Sequence, residues 1–200
     1  MRKKLTIITG VLLFTNMFAQ QSILTVNNYS TYDFHTALFA ATDSTPCYPS
    51  VSIGFDGNAT NPSQIVVPAN SSDINGQQLV YKNYKDSAAP AFNGLYPIYI
   101  YHISTSPTSQ QFQPPTFPSL NPMGAIATYT DWRYAKFFMT YAGTNTSVSG
   151  GSPLSYFNGT LGDGTPCSAG SSYVSTSFGD GEWFSITSGG TKYTYIQIYP

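Results

Sequence analysis

Residues 182–200 read EWFSITSGGTKYTYIQIYP, and the parity of their side chains decides the fold. A strand sends successive side chains to opposite faces. Thr194, Ile196 and Ile198 therefore share one face, while Tyr193, Tyr195, Gln197 and Tyr199 share the other. In the preceding run, Phe184 and Ile186 oppose Trp183, Ser185 and Thr187. The glycines between the runs mark a hairpin. A two-residue Gly189-Gly190 turn would pair Ile186 with Tyr193 and Trp183 with Ile196, mixing aliphatic and aromatic faces. A three-residue Ser188-Gly189-Gly190 loop sets Phe184 against Thr194 and Trp183 against Tyr195, and sorts them. The longer loop is expected, with Phe184, Ile196 and Ile198 buried.

Working outward, no stretch keeps a 3.6-residue apolar period. Short runs rich in Val, Ile, Tyr, Phe and Thr recur between Gly, Pro, Asn and Asp. Strands are expected near SILTVNNYS, DFHTALFAA, SVSIGF, SQIVVPA, QQLVYKNY, YPIYIYHIS, AIATYTD, YAKFFMTYA, SSYVSTSF, EWFSIT and KYTYIQIY. TYTDWRYAKFF is the one place for a short helix. About ten short strands at this spacing predict an all-β protein, a β-sandwich of jelly-roll-like type. Residues 104–122, STSPTSQQFQPPTFPSLNP, carry Pro107, Pro114, Pro115, Pro118 and Pro122 without a charge. Proline lacks the amide donor an interior strand needs, so a long extended loop is expected there.

The amino terminus, MRKKLTIITGVLLFTNMFAQQS, has a basic start at Arg2, Lys3 and Lys4, then an apolar run to Ala19. That run falls short of the ~20 residues of a membrane helix. It reads as a signal peptide over 1–19, cut after Ala19 or Gln20. Residues 20–200 then form one secreted domain, extracellular or periplasmic, with no transmembrane segment. Apart from the leader, the basic residues are Lys82, Lys85, Arg133, Lys136 and Lys192, against nine acidic ones. With no basic run, nucleic acid is a poor partner.

Both cysteines follow the same turn, DSTPC at 43–47 and DGTPC at 163–167. In an oxidising compartment the pair is expected to form a Cys47–Cys167 disulfide. A zinc site needs about four ligands, and only His35 and His102 are available to join them. The Asp-Gly pairs at 56–57, 163–164 and 180–181 match no calcium loop and read as turns. No cofactor or metal is expected.

Catalytic motifs are absent: there is no G-x-S-x-G, H-E-x-x-H, P-loop or G-x-G-x-x-G. Asp33 and His35 share a strand face and make a general-base pair conceivable, but no nucleophile accompanies them. His102 reads as a partly buried, hydrogen-bonded histidine. The strongest surface signal is aromatic: Trp183, Tyr193, Tyr195 and Tyr199 on one expected outward face, with Tyr99 and Tyr101 repeating the theme. Tyr and Trp join an apolar ring to a polar tip and suit sugar faces, although strands also favour Tyr for packing alone. The expected function is a secreted, non-catalytic binding protein for a glycan or other cell-surface polymer. The rival is a membrane-active or self-assembling β-protein, and a small hydrolase using Asp33, His35 or Glu182 ranks third.

Overall fold

The computed structural model describes residues 21–54, 65–82, 101–114, 116–121, 124–149 and 159–200. Residues 1–19, expected as a signal peptide, lie outside the described residues, as do Asp56-Gly57 and Tyr99. Among those described, twelve strands form two sheets. The five-stranded sheet has the order β10 (Tyr173–Thr176), β11 (Gly179–Ser188), β12 (Thr191–Tyr199), β1 (Gln21–Asn28), β5 (Leu79–Lys82). The seven-stranded sheet runs β7 (Ser109–Gln113), β6 (Tyr101–Ser106), β3 (Ser50–Ile53), β2 (Tyr32–Ala41), β8 (Asp131–Tyr141), β9 (Gly159–Gly162), and β4 (Ile65–Val67) pairs with β2. The architecture is the expected all-β sandwich. One pairing is parallel, β1 beside β12, so Val26 lies next to Ile196.

Between the sheets, Leu24, Val26, Leu79, Tyr81, Ile196 and Ile198 meet Phe34, Leu38, Val51, Ile53, Phe137 and Met139, all buried. Alternation puts them there: each comes from the inward set of its strand. Ile196 and Ile198 are buried as their parity predicts.

The hairpin before them corrects the expected register. Trp183 pairs with Ile196, Phe184 with Tyr195 and Ile186 with Tyr193, across a two-residue Gly189-Gly190 turn. Both glycines have positive φ, 57° and 80°. Such a turn twists with the strands, whereas the longer loop would interrupt the pairing. Strand β11 is therefore inverted from expectation. Trp183 is 2% exposed in the core, while Phe184 lies half-buried on the outer face and Ile186 is 54% exposed. The tight turn, and not the total apolar area buried, sets this parity: it carries the Trp183 ring into the core and leaves Phe184 and Ile186 on the outer side.

Two further expectations change. Residues Ala125–Tyr129, read as strand, form a one-turn helix α1, with Ile126 buried. Within the proline-rich segment, Ser109–Gln113 form the edge strand β7 antiparallel to β6. The six residues between Pro107 and Pro114 provide a proline-free window, and an edge strand needs only one side paired. The third Asp-Gly pair, Asp180-Gly181, is strand rather than turn.

The repeated Asp-x-Thr-Pro-Cys turns converge. Cys47 and Cys167 are bonded, with Cα atoms 5.3 Å apart. Asp43 and Asp163, four residues before each cysteine, both pair with Arg133. Pairing of β2 with β8 passes from Phe39↔Tyr134 to Ala40↔Trp132, leaving Arg133 as the extra residue of a β-bulge. The bulge lets Trp132 turn inward while the buried guanidinium reaches both turns. Arg133 Nη1 donates to Asp163 Oδ2 at 2.7 Å, and Nε donates to the Ala41 carbonyl at 3.3 Å. The Arg133 carbonyl accepts from Asp163 N at 2.9 Å and Ser168 Oγ at 3.1 Å. Burial works against the charged Asp163 carboxylate, but hydrogen bonds from Thr165 and Arg133 outweigh it and hold its pKa below the usual range.

Trp183→Ala is expected to lower the unfolding free energy by about 3–5 kcal/mol, and Phe184→Ala by about 1 kcal/mol, in urea titrations. Equal losses would contradict the register. Arg133→Lys, which cannot span two carboxylates and a carbonyl with a planar fork, is expected to cost about 2–3 kcal/mol in the same assay.

Candidate functional site

The sandwich has two outward faces. On the five-stranded sheet, β11 and β12 place Phe184 beside Tyr195, with ring centroids 5.0 Å apart and planes 17° from parallel. Ile186 and Tyr193 form the next row at one end, and Glu182 with Gln197, then Asp180 with Tyr199, form the rows at the other. Tyr173 of β10 borders Glu182, and its hydroxyl donates to Asp180 Oδ2 at 2.6 Å. That bond raises the Tyr173 phenol pKa and lowers the Asp180 carboxyl pKa, so the phenol stays protonated and the carboxylate ionised. Tyr199 also stacks on Tyr29, with centroids 5.6 Å apart. Burial pushes Tyr29 up to about 12, helped by the hydrogen bond its hydroxyl donates to Asp73.

Of the aromatic residues singled out in the sequence, the structure brings Tyr193, Tyr195 and Tyr199 onto this face. Trp183 is removed from it by burial. Tyr101 opens β6, a strand of the other sheet. Phe184, Ile186 and Tyr173 were missed. Their signal was the two-residue glycine turn, which assigns β11 side chains to faces once its length is known. The side chains of this strip share one face of the paired strands β11 and β12, with Glu182, Gln197 and Asp180 among them.

The second face, on the seven-stranded sheet, carries Asp33 and His35. Asp33 accepts from Ala69 N through Oδ1 and from Gly143 N through Oδ2, both at 2.8 Å. His35 stacks on Phe138 with centroids 4.5 Å apart, and its Nε2 lies 2.9 Å from Thr140 Oγ1. Desolvation by burial lowers the His35 pKa to about 4, against the opposing pull of Asp33. The imidazole is neutral at pH 7, and both Asp33 oxygens are committed to backbone amides. This arrangement brackets loops onto the sheet. His102 is likewise buried, with Nδ1 3.2 Å from Gln110 Nε2.

Beyond His35 on this face, toward the disulfide, is a pocket of about 330 Å³. Phe39 and Tyr134 stand at one side, Cys47, Cys167 and Tyr48 at another, with serines of β3 and β6 between them. Among the described residues, no group of three or more His, Cys, Asp or Glu is placed to hold a metal ion. No described helix is long and apolar enough to cross a membrane. Comparison of the chain with protein-family models, curated proteins and solved structures finds no match. Function is therefore argued from these two faces.

An unfolded histidine binds its proton near 6.5, whereas folded His35 does so near 4. Between these values the unfolded chain holds more protons, so stability falls as pH drops from about 6.5 to 4. A loss on the order of 2–3 kcal/mol is expected in urea titrations across that window. His35→Phe should flatten the slope, and an unchanged slope would show that His35 does not set it.

Proposed function

We propose that this chain is an exported, non-catalytic binding protein that engages a neutral glycan or similar cell-surface polymer through the outer face of the five-stranded sheet. The observation that carries the reading is the stacked Phe184–Tyr195 pair, with Tyr193, Ile186 and Tyr199 on the same sheet face. From the Ile186 row to the Asp180 row the strip spans six residues of strand, about 20 Å. That length suits an oligomer lying along the strands. Rings meet the C–H faces of sugars, and Gln197, Tyr193 and Tyr199 offer hydroxyl and amide partners. Asp180 and Glu182 at one end disfavour anionic polymers. The leader-like first residues and the Cys47–Cys167 disulfide support export.

Glycan-array binding and pull-down on insoluble polysaccharides test this. Tyr195→Ala is expected to weaken retention about fivefold to tenfold, as losing one ring contact of about 1 kcal/mol would. Its melting temperature should stay close to that of the parent. Retention of no glycan, or equal retention by the parent, Tyr195→Ala and Phe184→Ala, would defeat the proposal. Dye release from neutral liposomes by the parent chain would favour the membrane-active reading instead.

A further inference from the structure

We infer that the pocket beside the disulfide, on the opposite face of the sandwich from the aromatic strip, is a separate binding site for a single neutral, hydroxyl-rich ring of hexose size. Its floor follows from strand register. Phe39, Ser52, His102 and Phe112 lie side by side across β2, β3, β6 and β7, and Ala41, Ser50, Ser104 and Gln110 form the next row. Both rows point away from the core, since the alternate residues Ala40, Val51 and Ile103 are buried in it. Of these eight, all but Phe112 line the pocket, and Ala41, Ser50, Ser52 and Ser104 among them are small, while Phe39, His102 and the neighbouring Tyr134 are large. The hollow is where small side chains sit among large ones.

The chemistry of the lining selects the ligand. Ser50, Ser52 and Ser104 each donate and accept, as sugar hydroxyls do, and among the described residues no charged side chain lines the pocket. An ion entering it would lose water without gaining a counter-charge, so a neutral polar ligand is favoured. The Gln110 amide is positioned by its contact with His102, 3.2 Å away. Phe39 and Tyr134 stack with centroids 4.4 Å apart and planes 7° from parallel, giving a rigid apolar wall for a ring's C–H groups. Burial raises the Tyr134 pKa, so its hydroxyl remains a donor. The volume of about 330 Å³ is at the small end of ligand pockets, room for one ring rather than a chain. The disulfide closes one end, so the site depends on Cys47 and Cys167 staying joined.

The test is saturation-transfer NMR and calorimetry on the intact oxidised chain with free glucose, galactose, mannose and N-acetylglucosamine, and with glycerol as a small-polyol control. At least one hexose should bind with a dissociation constant on the order of millimolar, and glycerol at least about tenfold more weakly. Ser104→Leu, which fills the hollow, and Gln110→Ala, at an exposed position, should each weaken binding at least about tenfold. Tyr195→Ala should leave it unchanged. Because the two faces are separate, loss of polysaccharide retention in Tyr195→Ala and loss of hexose binding in Gln110→Ala report on different proposals. The pocket assignment is overturned if no hexose binds, if hexose binding survives both pocket variants, or if Tyr195→Ala alone abolishes it.

Discussion

The buried guanidinium of Arg133 is the contact on which the larger sheet's geometry turns. It occupies the extra position of a bulge in the longest strand, and it pairs with Asp43 and Asp163 from two turns far apart in sequence. Removing a charge from water is costly unless partners replace the lost hydration, and here carboxylates and a backbone carbonyl replace it. The same two turns carry the cysteines, so an ionic contact and a covalent one fix the same pair of loops. Chain-entropy reasoning assigns about 4–5 kcal/mol to a crosslink spanning 120 residues. The shared Asp-x-Thr-Pro-Cys sequence thus has a common physical purpose: each copy presents a carboxylate to one arginine and a sulfur to the other copy.

Much of the sandwich was legible because half-buried strands alternate. β12 declares itself by that pattern, so the inward parity of Ile196 and Ile198 could be read directly, while β1, β2 and β8 stand out as runs rich in Val, Ile, Phe, Tyr and Thr. The parity of β11 could not, because Trp183, Phe184 and Ile186 place apolar side chains on both faces and leave the hairpin length to decide. An argument from tidy segregation of aromatic and aliphatic residues chose the wrong length. The backbone prefers a tight glycine turn, and an exposed isoleucine is tolerable when a tryptophan gains burial. Arg133 gave no signal at all, since a bulge is a property of two paired strands and leaves no mark in either one alone.

The aromatic strip and the pocket illustrate the same limit from the functional side. Tyr193, Tyr195 and Tyr199 were found because one strand holds them in alternation. Their neighbours Phe184 and Tyr173 come from strands whose pairing had first to be known. The pocket draws on β2, β3, β6, β7 and β8 together, and its defining residues are serines, which no single-strand pattern distinguishes from ordinary solvent-facing positions. What marks them is company: small hydroxyl side chains surrounded by rings once four strands are laid side by side.

The parallel contact of β1 with β12 bears on the timing of assembly. The earliest described strand leaves the ribosome, or any translocation channel, long before its neighbour does, and that neighbour occupies the middle of its sheet. Until β12 arrives, β1 with β5 and β10 with β11 are two fragments lacking the piece that joins them. Closure of this sheet thus waits for β12 and is dominated by distant contacts, a topology associated with slow folding. A chain interrupted before β12 would display unpaired edges on both fragments, so quality control would meet a sticky intermediate rather than a slightly weakened native protein.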